Sequence, residues 1–90
     1  MPQAIADPEE LKRFANLLKK FNMDLIDRTS ALASQLESLC VTWRDQENKK
    51  FAEQFTEQLK SINRLVEVNS TYIPFLVRKA ARLEEYLQQR

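Results

Sequence analysis

The sequence predicts an all-α protein whose single domain, residues 1–90, is an antiparallel helical hairpin that dimerises into a four-helix bundle. The chain contains no glycine and three prolines, so few positions suit the tight turns of a β-sheet. Apolar residues recur with helical spacing in both halves, and candidate helix caps stand between the halves. These features predict a first helix from about residue 8 to 41, a turn at about 42–45 and a second helix from about 45 to 88.

The start of the first helix is predicted by Asp7 at the N-cap, Pro8 at N1 and Glu10 at N3. Leucine then recurs every seven residues, and Phe14 and Phe21 occupy the interleaved positions of the first heptads. Further along, the apolar stripe drifts sideways, as a straight α-helix does against a seven-residue repeat. The predicted buried stripe comprises Leu11, Phe14, Leu18, Phe21, Leu25, Leu32 and Leu39, and then moves to Leu36 and Trp43.

The second helix is predicted by a series of positions whose spacing alternates between three and four residues. They are Ala52, Phe55, Leu59, Ile62, Val66, Asn69, Ile73, Leu76, Ala80, Leu83 and Leu87. Asn69 is the polar member of the series, and it either sets the register, as single Asn residues do in coiled coils, or faces a water-filled gap. Pro74 cannot donate a backbone hydrogen bond, but the pattern keeps its phase on both sides, which predicts a kink and not a stop.

The turn between the helices carries two candidate caps, Thr42 and Asp45. Trp43, the one tryptophan of the chain, lies between them near the midpoint of the sequence. Its ring can fill the space that two diverging helices leave, which explains the residue without any function. We also expect part of the ring to be exposed and available for recognition.

The turn motif Trp43-Arg44-Asp45, with an amphipathic helix on each side, resembles the WXG family, the small helical hairpins exported by type VII secretion that include the early secreted antigen group. Asp45 stands where that family has glycine. The resemblance implies a non-enzymatic protein–protein interaction module, a secretion substrate or partner that also contacts a component of the secretion system. Exported members carry an acidic residue four positions after a C-terminal tyrosine. In this chain the residue four positions after Tyr86 is Arg90, so we expect export to depend on a partner. The alternative is a cytosolic helical adaptor or assembly factor that is never exported.

Enzymatic function is not expected, because the chain has no histidine and its one thiol, Cys40, is predicted to be a small, partly buried residue near the end of the first stripe. The acidic pairs Asp24 with Asp27 and Glu53 with Glu57 fall outside the predicted buried stripes and are typical of solvated helix faces. Without histidine and glycine the usual zinc, haem and phosphate-loop sites are excluded, so we expect no metal and no cofactor.

The charge balance argues against polyanionic partners, since fourteen Lys and Arg against thirteen Asp and Glu give a net charge of +1. We therefore expect no nucleic acid binding. The sequence contains neither a run of about eighteen apolar residues nor a charged segment followed by an apolar one, so membrane insertion and a cleavable signal peptide are not expected. These observations predict a protein made in the cytoplasm, and the family resemblance implies secretion without a cleavable signal peptide.

A dimer is predicted because the second helix is apolar on more of its circumference than one neighbouring helix can cover. Counting outward from a reversal at Trp43 puts Pro8 opposite Arg78, so that Leu83 and the residues after it extend past the first helix. These residues then need a second hairpin, either a second copy or a related small helical protein, unless residues around Ile5 fold over Leu83. The predicted dimer interface comprises Leu65, Val68, Tyr72, Phe75, Leu76, Leu83, Tyr86 and Leu87.

Overall fold

The computed structural model describes residues 6–89, which form two α-helices joined by a short turn. The first helix, α1, is Pro8–Thr42, and the second, α2, is Gln46–Gln88. The predicted all-α antiparallel hairpin is confirmed, and the predicted helix bounds agree with the structure to within one residue. Dimerisation stays a prediction.

The start of α1 is held by the cap that the sequence predicts. The backbone N–H of Glu9 donates to Oδ1 of Asp7 at 3.0 Å, which satisfies one of the N–H groups that a helix start leaves without an intrahelical partner. Pro8 follows as the first helical residue, where its missing N–H removes no hydrogen bond. Local side-chain chemistry therefore fixes where the helix begins.

At the turn, Asp45 and not Thr42 caps the second helix. Oδ1 of Asp45 accepts a hydrogen bond from the backbone N–H of Asn48 at 3.0 Å, whereas the Thr42 hydroxyl donates back to the carbonyl of Leu39 at 3.3 Å. Among the described residues none has a positive φ. The chain therefore reverses without the left-handed backbone that glycine would permit, and Asp at position 45 is compatible with the turn.

The described chain divides into two compact units, each built from a segment of α1 and a segment of α2. We call the first the terminal unit; its described residues are 6–22 and 68–89. The second, the turn unit, comprises residues 23–67. Within each unit we call the side of a helix that faces the other helix its seam.

In the terminal unit, the alignment of the two helices is marked by two side-chain contacts. Nδ2 of Asn69 donates to Oδ1 of Asn22 at 3.1 Å, and Nζ of Lys12 donates to Oε2 of Glu84 at 2.7 Å. Counting fourteen residues back from Asn22 and fourteen forward from Asn69 pairs residue 8 with residue 83.

The overhang predicted for Leu83 is therefore wrong. Pro8 is buried and Leu83 is partly buried, as expected if Leu83 lies beside the start of α1 and not beyond it. The count from Trp43 failed because the turn extends to Asp45 and the helices pair about five residues further along α2 than a pivot at Trp43 implies. Ile5, which the alternative would fold over Leu83, lies outside the described residues.

In the turn unit, Leu59 and Val66 are buried in the seam of α2. The Trp43 ring lies 5.7 Å from that of Phe51, centroid to centroid, and Phe51 stacks on Phe55 at 5.5 Å. These three rings cover the first turns of α2 beside the chain reversal, which supports the predicted packing role of Trp43.

The seam of α2 follows the predicted series, whereas the seam of α1 differs from it. Every member of the α2 series except Leu87 is buried or partly buried. On α1, by contrast, Phe14, Phe21, Leu32 and Leu39 are exposed, while Leu11, Leu18, Leu25 and Leu36 are partly buried as predicted. Trp43, which follows α1, is also partly buried as predicted. The buried residues of α1 include Ala15, Asn22 and Thr29. The helix α2 continues through Pro74, as predicted, and the kink there stays a prediction.

Candidate interaction surface

The terminal unit buries small side chains and exposes large ones. Its buried apolar seam residues include Ala15 and Ala80, whereas Leu17 is 62% exposed and Phe75 is 58% exposed. Across residues 6–89 no large side chain is completely buried. Since apolar burial is the main favourable term in folding, contact between the two helices uses only part of the stabilisation that this sequence can supply.

Six exposed apolar residues of the terminal unit share one positional rule, because each directly precedes a seam position. On α1, for example, Phe14 precedes Ala15, and on α2 Val68 precedes Asn69. One residue is a rotation of about 100° around a helix, and in antiparallel helices the same rotation leads to the same side of the pair. These residues therefore form one surface, which we call the outer face: Phe14, Leu17, Phe21, Val68, Tyr72 and Phe75.

The opposite side of the terminal unit is mostly polar. Its residues directly follow seam positions, and Asn16, Lys19 and Ser70 are examples. Val77 is the exposed large apolar residue on this side, 49% accessible, and the smaller Pro74 and Ala81 are exposed near it. The apolar residues outside the seam are thus concentrated on the outer face, which is unusual for a surface in contact with water.

The turn unit carries a smaller surface that follows the same rule. Four of its exposed apolar residues again directly precede partly buried or buried seam positions, as Leu32 precedes Ala33 and Leu65 precedes Val66. Three others, Met23, Ile26 and Val41, are exposed without following this rule. Between the four lie the polar side chains of Gln35 and Gln58. We call this surface the turn face: Leu32, Leu39, Phe51 and Leu65.

The predicted dimer-interface residues fall into three groups. Val68, Tyr72 and Phe75 belong to the outer face, and Leu65 belongs to the turn face. Tyr86 and Leu87 are exposed near the end of α2. The remaining two, Leu76 and Leu83, are partly buried seam residues and are less accessible to a partner.

Three residues of the outer face were not predicted as interface residues: Phe14, Leu17 and Phe21. The two phenylalanines were assigned to the seam of α1 because they complete a leucine heptad. Leu17 was the available signal, since a leucine next to Leu18 cannot share the same stripe and indicates a second apolar side.

The turn motif combines packing with partial exposure. Trp43 is partly buried, and its ring contacts that of Phe51. Arg44 is exposed, and its Nε donates to the Val41 carbonyl at 2.7 Å, which satisfies a carbonyl at the end of α1. Asp45, also exposed, acts as the cap of α2. Each of the three residues has a structural role, and part of the Trp43 ring is also exposed to solvent.

No family model, no curated protein and no solved structure matches the chain. Its surface has to be interpreted from its own residues. Within residues 6–89 the structure gathers no cluster of three or more potential metal ligands, and neither helix has a stretch long and apolar enough to cross a bilayer. The Cys40 thiol is partly buried and donates to Oδ1 of Asn48 at 3.4 Å.

Proposed function

We propose that this protein is a non-enzymatic interaction module that works as a dimer with a second helical hairpin, and that it is a substrate or partner of a type VII secretion system of the WXG kind. The observation that carries the proposal is the outer face, where large apolar side chains are exposed on one side of a pair of helices whose buried apolar residues, Ala15 and Ala80, are small. Such a pair is one half of a four-helix bundle.

The exposed area supports a partner of this size. The ten side chains of the outer face and the turn face are each exposed by 40% or more, and at about 100 Å² for each they present about 1,000 Å² per chain. A stable protein–protein interface buries about 800 Å² per partner. The exposed apolar area of one chain is therefore comparable to the area that a stable interface buries.

The charge distribution supports a second copy of the chain as that partner. The described terminal unit has seven Lys and Arg and five Asp and Glu, a net charge of +2, and the turn unit has six and eight, a net charge of −2. In an antiparallel homodimer the terminal unit of each copy meets the turn unit of the other, so unlike charges come together.

The WXG resemblance supports the secretory role. The turn motif Trp43-Arg44-Asp45 joins two amphipathic helices, and the Asp45 cap closes the turn without the family's glycine. The proposed partners are accordingly a second hairpin and a component of the secretion system.

The dimer is tested by sedimentation of the wild type and of the double variant Tyr72→Asp, Phe75→Asp. The wild type should sediment as a dimer at tens of micromolar. The variant should be a monomer of reduced helix content, because two charges on the outer face cannot be buried without a partner group. Both replaced side chains are exposed, so the seam is left intact.

The matched control is Val77→Asp, which introduces a charge at a similarly exposed position of α2 on the opposite side of the terminal unit. It should remain dimeric. A wild type that sediments as a well-folded monomer would rule out the homodimer, and a Val77→Asp variant as disrupted as the double variant would show that the outer face has no special part in assembly.

The secretory role is tested in the native host by recovering the tagged protein and by assaying the culture supernatant of intact cells. Appearance outside the cells, lost when the type VII secretion ATPase is deleted, supports the proposal. Recovery from the cytosol alone together with a stable large partner supports the adaptor alternative and contradicts secretion.

A further inference from the structure

We propose that Asn22 and Asn69 form a polar pair that sets the register of the two helices in the terminal unit and thereby aligns the two halves of the outer face. The inference rests on the proposed function for the use of that face. Its structural part concerns the register alone, which can be measured without any partner.

The pair is buried and well formed. Asn22 is 4% exposed and Asn69 is 8% exposed, and their side chains share a hydrogen bond of 3.1 Å. Nδ2 of Asn22 also donates to Oγ of Ser70 at 3.4 Å, so the amide of α1 contacts two consecutive residues of α2. In the described residues every buried side-chain N and O atom has a hydrogen-bond partner. The two amides are thus compatible with burial only while they face each other.

The other seam residues of the terminal unit do not define a register. The seam of α2 there continues as Ile73, Leu76 and Ala80, with spacings of three and four. If α2 moved by seven residues, apolar seam positions would again meet apolar positions, and Asn22 would lie against Leu76 instead of Asn69. Apolar contacts alone therefore tolerate the shift, whereas two buried amides would lose their partner.

A shift of this kind would change the outer face without changing which residues form it. Phe14 and Phe21 would stay on the same side of α1, and Tyr72 and Phe75 on the same side of α2. Their relative position along the helices would change by about 10 Å, since each residue rises 1.5 Å. A partner shaped for one arrangement would not fit the other, so the pair acts as a positioning element for recognition.

The test compares the single variants Asn22→Leu and Asn69→Leu with the double variant. Each single variant removes the hydrogen bond between the two buried amides, so the folded-to-unfolded ratio should fall about tenfold. The double variant should recover stability to the wild-type level or above, because two leucines replace two amides in the seam.

The register itself is read by the distance between spin labels at positions 16 and 77, in a background where Cys40 is replaced by serine. Both positions are exposed and lie on the side opposite the outer face, so the labels disturb neither the seam nor the face. Labelled protein is diluted into an excess of unlabelled protein, so that distances between copies do not contribute. The wild type should give one narrow distribution, and the double leucine variant should give a second population or a broad one.

Asn22→Asp is the conservative control, because it keeps an acceptor oxygen for the amide of Asn69. It should keep the single distance even if it is less stable. A double leucine variant with the wild-type distribution would overturn the inference. Because this readout is independent of assembly, a wild type with one register that never dimerises would contradict the proposed function and leave the register result standing.

Discussion

The position of Trp43 could be predicted from the sequence, but the ring that it contacts could not. Its place at the closed end of the hairpin follows from the two apolar series and the caps between them. Its ring partner does not, because Phe51 lies outside the predicted stripe of α2 and is 40% exposed. The contact arises since the ring of Trp43, at the last position before the reversal, reaches forward over the first turn of α2.

Partial burial of Trp43 sets the size of its contribution to stability. Removing a fully packed aromatic side chain costs about 3–5 kcal/mol, and we expect Trp43→Ala to lower the free energy of unfolding by about 2 kcal/mol because part of the ring already faces water. Urea unfolding followed by far-ultraviolet circular dichroism, at one protein concentration, measures this.

Trp43→Phe is the matched control, since it keeps an aromatic ring beside Phe51 and should lose less than half as much. If the alanine variant unfolded at the wild-type urea concentration, the ring would have no packing role. Weaker partner binding in that case would assign the residue to recognition alone.

At the level of the helices, the buried side of α2 could be predicted from the sequence, whereas the buried side of α1 could not. The steps of three and four along α2 run without a break from Ala52 to Leu83, and one stripe accounts for them. On α1 the leucine heptad marks the edge of the seam, because Leu11, Leu18 and Leu25 are only partly buried there. Leucine and phenylalanine have similar transfer free energies, so hydrophobicity alone does not decide which flank of such a heptad turns inward.

The size and the polarity of the side chains together decide which residues of α1 lie in the seam. Ala15 allows the helices of the terminal unit to approach closely, and Asn22 finds its hydrogen bond only in the seam. Neither preference is visible until the facing residues of α2 are known. For the same reason Phe14 and Phe21 were assigned to the seam, and on the α1 half of the outer face only Leu17, next to Leu18, gave a signal in the sequence, whereas the α2 half was predicted.

The ion pair between Lys12 and Glu84 links the first turns of α1 to the end of α2. The pKa of Lys12 lies above its ordinary value of 10.5, chiefly because its ammonium group donates a hydrogen bond to the Glu84 carboxylate. A raised pKa means that the folded state binds the proton more tightly. The stabilisation is therefore fully present below the ordinary pKa and is lost as the pH rises through the pKa of folded Lys12.

We expect Glu84→Gln to lower the melting temperature slightly at pH 8 and low salt, since both groups are exposed and such pairs are weak. The difference from the wild type should vanish as the pH rises through the raised pKa of Lys12 in the folded state, where the lysine loses its proton. Comparing the two proteins at each pH cancels the titration of the other groups that both proteins contain. A difference that persisted into the most alkaline samples would show that Glu84 acts through packing.

For the whole molecule, folding and assembly should be one process. A hairpin without a completely buried large side chain has little core of its own, and small domains depend strongly on the fraction of surface that they bury. If the outer face completes the core, then the folded monomer is a minor species and the dimer is the stable form.

The unfolding midpoint of the wild type should therefore rise with protein concentration. In a coupled folding and dimerisation equilibrium, each tenfold increase in concentration stabilises the folded dimer by about 1.4 kcal/mol relative to unfolded chains. The measurement is the thermal unfolding midpoint at protein concentrations from about one to about one hundred micromolar, which is two tenfold steps. The free energy is expressed per mole of dimer. The Tyr72→Asp, Phe75→Asp variant should show no such dependence, and a midpoint of the wild type that stayed constant across the range would indicate a self-sufficient monomer.

The seam of small residues in the terminal unit has a consequence for the life of the protein in the cell. If the chain dimerises as proposed, a newly made copy that has not met its partner keeps Phe14, Leu17 and Phe75 in water, where chaperones and proteases recognise apolar side chains. We then expect its survival time to depend on how fast it pairs. The abundance of the chain would follow the supply of its partner, and surplus copies would be degraded without any dedicated regulator.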